Sequence, residues 1–135
     1  VGEDFFLPHS ERPISEIVRE HIMLDRALGA LVAILRAYYP PKEIIVENGT
    51  IAVAGYLGRL IGHLRKKGHA RRFTFVTYLI EYVDYREVVD RTERFIEELS
   101  DIGVLYRDLI GRDVYRVTKI GFDVLEKIEV RKRRD

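Results

Sequence analysis

The stretch Thr92-Glu93-Arg94-Phe95-Ile96-Glu97-Glu98-Leu99-Ser100-Asp101-Ile102-Gly103-Val104-Leu105-Tyr106-Arg107 decides how the chain is read. Its first part has apolar residues at helical spacing, and Gly103 is a helix stop. Val104 to Arg107 alternates as a strand does. A polar tip follows, Asp108-Leu109-Ile110-Gly111-Arg112, and then a second alternating segment, Asp113-Val114-Tyr115-Arg116-Val117-Thr118. Lys119-Ile120-Gly121-Phe122-Asp123-Val124-Leu125-Glu126 begins another helix. Helix, glycine, strand, tip, strand and helix therefore follow one another. Tyr106 and Tyr115 are candidates for a cross-strand pair. Ile120, Val124 and Leu125 are expected beneath the sheet.

Leu99-Ser100-Asp101-Ile102-Gly103-Val104-Leu105 and Tyr115-Arg116-Val117-Thr118-Lys119-Ile120-Gly121 resemble the L-x-x-x-G-L-I and Y-x-L-T-x-x-G runs of bacterial and archaeal regulators of the MarR and PadR type. The resemblance covers the last third of the chain. It implies a winged helix-turn-helix, mainly α with a small β-wing. It also implies double-stranded DNA as partner and a homodimer joined by a long terminal helix. Winged helices serve as protein-binding modules too, so the fold leaves DNA and protein partners both open.

The chain has 135 residues, 47% hydrophobic and 33% charged, enough apolar material for a core in one domain or two very small ones. No run approaches the ~18 apolar residues of a membrane span. The acidic start, Val1-Gly2-Glu3-Asp4-Phe5-Phe6, does not read as a signal peptide, and a cytoplasmic location is expected. Cysteine is absent, which excludes disulfides, thiolate metal sites and a cysteine nucleophile. With no Gln, one Asn and one Met among many charges, the composition is that expected of a thermophilic, archaeal protein.

The chain divides into an arm (1–12), a helical N-terminal half (13–72), a winged helix (73–130) and a basic tail (131–135). From Pro13, apolar residues at helical spacing run from Ile14 to Tyr38, where Pro40-Pro41 end them. A helix of about 25 residues would span roughly 38 Å. Its second half is apolar nearly all round, and the whole helix is expected to be largely buried, in a dimer interface or as a central helix. Asn48-Gly49 lies between apolar alternations. It reads either as a hairpin or, the reading preferred here, as a turn after which Thr50 caps a helix from Ile51. Ala54, Gly58 and Gly62 form a row of small residues. Either another element approaches closely there, or Gly58 breaks the run into two helices. Leu64, Gly68 and Arg72 match Leu99, Gly103 and Arg107 at an offset of 35 residues, which would fit a tandem pair of winged-helix-like units. A helix from Phe73 to Tyr82 and a short one from Tyr85 to Val89 complete the reading.

The inventory for catalysis is thin. No two histidines stand at i, i+3 or i, i+4, and no serine sits in a nucleophile-elbow context. No phosphate-binding glycine loop occurs, so neither an enzyme nor a cofactor or metal is expected. Net charge is +1, and the tail Arg131-Lys132-Arg133-Arg134-Asp135 supplies more than all of it. Charge distribution is more informative. Arg59, Arg65, Lys66, Lys67, Arg71 and Arg72 lie in a stretch without a carboxylate, read as a phosphate-binding surface. Arg91, Thr92 and Arg94 open the expected recognition helix, where base edges would be read. Arg107, Arg112, Arg116 and Lys119 belong to the wing, with Arg112 at its tip. Against this, Asp84 to Asp101 holds seven acidic residues and three arginines. An acidic recognition helix suits the alternative, a protein-interaction subunit of a transcription, segregation or sorting complex.

Overall fold

The computed structural model describes residues 13–132; the arm at 1–12 and the last three residues of the basic tail lie outside them. The chain is mainly helical with small β-sheets. Helix α1 spans Ile14–Tyr38, the bounds read from the sequence. It is not largely buried. Ala27, Leu31, Leu35 and Tyr38 are enclosed, whereas Val18, Ile22 and Met23 on its first half are about half exposed. The second half is the enclosed part, while of the first half Leu24 is partly buried against the core.

A short 3-10 turn at Pro41–Glu43 leads into strands β1, Ile44–Glu47, and β2, Thr50–Val53. They form an antiparallel hairpin with Glu47 opposite Thr50. Asn48 and Gly49 both have positive φ, 49° and 76°, as a two-residue type I′ turn requires. The expectation that Thr50 caps a helix from Ile51 is therefore corrected. The cause is distant in sequence: the last strand, β6 (Ile128–Val130), pairs in parallel with β2 and gives it a second partner.

Helix α2, Gly55–Lys67, is continuous through Gly58, so the two-helix reading is corrected as well. A Cβ on Gly58 would lie 3.4 Å from the Val53 carbonyl oxygen and 3.6 Å from Val130 Cγ1. The small residue thus admits the sheet. Gly68, at φ 74°, ends α2, and β3 (His69–Arg71) follows. Helix α3 covers Arg72–Leu79, with a 3-10 turn at Ile80–Tyr82. Helix α4 runs unbroken over Val88–Asp101, so no separate helix spans Tyr85 to Val89. At its end Gly103 N–H donates to the Ser100 carbonyl and Val104 N–H to that of Leu99. These are the two bonds of a Schellman motif, and Gly103 takes the left-handed position.

Strands β4, Leu105–Arg107, and β5, Val114–Val117, pair antiparallel, and β3 pairs with the other edge of β5. The sheet order is β3-β5-β4. Tyr106 faces Arg116, and Tyr115 faces Arg107, so the expected tyrosine pair is corrected: this register puts the two rings on opposite faces of the sheet. The matched Leu-Gly-Arg positions are two helix–glycine corners, and the strands that follow them, β3 and β4, both pair with β5. Helix α5, Lys119–Glu126, carries Val124 and Leu125 into the core with Ile120 half-buried beside them.

The Thr118–Gly121 pair has a local cause. Thr118 Oγ1 donates to the Gly103 carbonyl and accepts from Gly121 N–H at 2.9 Å, capping α5. A Cβ on Gly121 would sit 2.3 Å from the Val104 carbonyl oxygen. The motif therefore bolts α5 to the chain leaving α4.

Candidate nucleic-acid interface

From Asn48 to Ile80 the chain contains no carboxylate. This segment becomes β2, α2, β3 and α3. The buried face of α2 is Leu57, Leu60, Ile61 and Leu64, which turns Arg59, Lys66 and Lys67 to solvent. Arg65 is held differently: its guanidinium donates to the Ile128 carbonyl at 3.1 Å, tying α2 to β6. His63 Nε2 lies 3.1 Å from the His69 carbonyl oxygen, just past the C-terminal end of the helix.

A second group forms where β3 passes into α3. Arg71, Arg72 and Arg112 surround an open depression with Phe73, Val76 and Asp113. Residues remote in sequence are joined there because Arg72 N–H donates to the Asp113 carbonyl at 3.0 Å. Phe73, which the sequence reading did not select, is 77% exposed in the middle of these cations. Arg72 is ion-paired with Glu93 of α4. Arg71 and Arg112 form no ion pair with another described residue. On the outer face of the sheet, Arg116 donates to Asp108 at 2.7 Å. Asp108 also accepts from the Ile110 backbone N–H at 2.9 Å. That bond first, and Arg116 second, hold its carboxyl below the ordinary value. Arg107 is exposed at the strand edge.

The expected reading end of α4 is mostly occupied elsewhere. Arg91 lies over the Tyr38 ring, 5.0 Å from its centroid, a cation–π contact to α1. Thr92 is fully enclosed, so the expectation that it contacts a base is corrected: the helical period that exposes Arg94 turns Thr92 inward. Arg94 alone of the three is exposed. Outward along α4 stand Asp90, Glu93, Glu97 and Asp101, an acidic stripe. Lys119 is apart from both basic groups, in a groove between α1 and α5 with Ile17, Met23 and Asp123.

Arg59 has neighbours that sequence reading did not group with it. It shares a depression with Tyr56, Arg131 and Lys132. The signal was present only as a basic tail, because the pairing of β6 with β2 brings it here. Among the described residues no group of three or more potential ligands could hold a metal ion, and no helix is long and apolar enough to cross a membrane. Comparison of the chain with protein families, curated proteins and solved structures finds no match.

Proposed function

We propose that this chain is a DNA-binding winged-helix protein that acts as a transcriptional regulator in the cytoplasm. The order α2, β3, α3, α4, β4, β5, with the β4–β5 hairpin folded back on β3, supports the winged-helix assignment, α4 being the recognition helix and 108–113 the wing tip. The observation that carries the function is the carboxylate-free run from Asn48 to Ile80. It leaves Arg59, Lys66, Lys67 and Arg71 exposed, and none forms an ion pair with another described residue. Cations without a carboxylate partner keep their charge available to neutralise phosphate. Since Arg91 and Thr92 are engaged within the protein, base readout through α4 rests on Arg94, and backbone contact supplies most of the affinity. A homodimer belongs to the same reading, with the half-exposed Val18, Ile22 and Met23 of α1 as its contact.

Fluorescence anisotropy with a labelled duplex over a salt series tests the proposal. Affinity should fall steeply with salt, and Arg71→Ala with Arg112→Ala should flatten the slope by roughly 0.9 for each lost phosphate contact. Absence of binding even at low salt would sink it. A second reading, a protein-interaction module, is favoured by the acidic stripe on α4. It would then take over, and its partner would be basic.

A further inference from the structure

Strand β6 ends beside the first turns of α2, and the chain continues as Arg131 and Lys132. Arg131 is not a loose tail residue, because its backbone N–H donates to the Val53 carbonyl at 2.8 Å and extends the sheet by one bond. Between it and the helix lies an open depression of about 390 Å³. Its walls carry Arg59, Arg131 and Lys132, with Val130 and the ring of Tyr56. Among the described residues no carboxylate lines it.

The cations are partly pre-set. Tyr56 packs edge-on against Tyr82, with centroids 5.9 Å apart, and the Arg59 guanidinium sits 5.5 Å from the Tyr56 centroid. A ring held on one side thus orients an arginine that has no carboxylate partner among the described residues. Gly58 keeps the wall low, since a side chain there would meet Val53 and Val130. Two carboxylates are near. Glu129 lies 3.4 Å from Arg131 in an exposed, solvent-screened pair. Glu43 is buried behind Gly55, where it accepts the Leu57 N–H at 2.8 Å. Neither is among the lining residues, and three cations outnumber them.

We propose that this depression is a phosphate cradle that takes one or more phosphodiester groups of a nucleic-acid backbone; the nucleic-acid source of the phosphate rests on the DNA-binding reading above. The placement gives the cradle a function distinct from that of the Arg71–Arg112 corner. The two lie at opposite ends of α2, roughly 20 Å apart for a helix of this length. Arg59, His63 and Lys66 follow one flank between them at i, i+4 and i+7. Gly62 on that helix has open space where a Cβ would stand. A duplex backbone would be gripped at both ends of α2, not at the hairpin alone.

The test uses the full chain in two arms. In the first, Arg59→Ala, Arg131→Ala and Lys132→Ala are combined, and anisotropy is followed with a duplex over a salt series. The slope of log affinity against log salt should shrink by about 2 to 3, while Arg59→Lys with Arg131→Lys should keep the wild-type slope. A folded triple variant with an unchanged slope overturns the cradle and leaves the DNA-binding reading intact. In the second arm, inorganic phosphate is titrated and amide shifts are recorded. Saturable shifts at Gly55, Tyr56 and Gly58, lost in the triple variant, support the cradle even where no duplex binds, and the DNA-binding reading then falls alone. If no duplex binds and phosphate moves none of these amides, the cradle is overturned.

Discussion

At the residue scale, Glu43 and Gly55 show how a helix start is set from a distance. No side chain at Ala54 caps α2; the Glu43 carboxylate does so instead. Gly55 stands at φ 62°, and a Cβ there would lie 2.6 Å from Glu43 Cδ. Gly55→Ala should therefore cost about 2 kcal/mol or more in urea unfolding, from left-handed strain plus displacement of the cap. Thr92→Val should behave oppositely. The buried Thr92 hydroxyl has no partner among the described residues, so its removal should change stability by less than about 1 kcal/mol or raise it. Unchanged duplex affinity in the same variant would agree with its enclosure. Arg94→Ala should lower preference for a cognate site by about 1–3 kcal/mol with a small effect on non-specific affinity; competition between cognate and random duplexes measures this.

At the element scale, the contact between α1 and α4 makes stability depend on pH. Burial first, then the Glu98 carboxylate, push the Tyr38 hydroxyl from 10.0 up to about 12. The folded protein thus holds a proton that the unfolded chain releases near 10. Stability from this group is complete below pH 10 and is lost as pH rises through the window from 10 to 12. Burial, with Glu43 second, raises Tyr39 in the same direction. Urea midpoints should fall between pH 9 and pH 11, and the fall should be smaller in Tyr38→Phe. A midpoint flat over this range would contradict the assignment. The β4–β5 hairpin responds at the other end of the scale. Because the folded Asp108 carboxyl sits low, its clasp on Ile110 and Arg116 is present above the ordinary aspartate value and is lost as pH falls through the folded one.

At the scale of the whole molecule, α1 has two unlike halves. Leu31 and Leu35 are enclosed in the chain's own core, so aspartate at either would unfold the monomer and would say nothing about association. Val18 and Ile22 are the informative positions. In a homodimer joined there, Val18→Glu with Ile22→Glu should halve the mass in sedimentation while the thermal melt stays that of a folded protein. An unchanged mass removes this contact from the proposal.

Much of this was decided locally and could be read from the sequence. Pro13 and Pro40-Pro41 bracket α1 because proline limits the backbone at its own position. Leu99–Gly103 and Thr118–Gly121 encode a helix stop and a helix cap whose partners lie within a few residues or across one short strand pair. The basic run was likewise visible as composition. Other features depended on contacts between remote residues. Asn48-Gly49 became a hairpin, not a helix start, because Ile128–Val130 pairs with β2. Gly58 remained within a helix because that same sheet lies against it. Thr92 and Arg91 were drawn out of the expected reading surface by packing that buries one and lays the other on Tyr38. Periodicity identifies an apolar face, but which neighbour covers it, and how far along the helix, is set by tertiary contacts with no local signature. That is why Val18 and Ile22 read like core residues and stand half exposed, and why Arg131 and Lys132 read like a tail and lie beside Arg59.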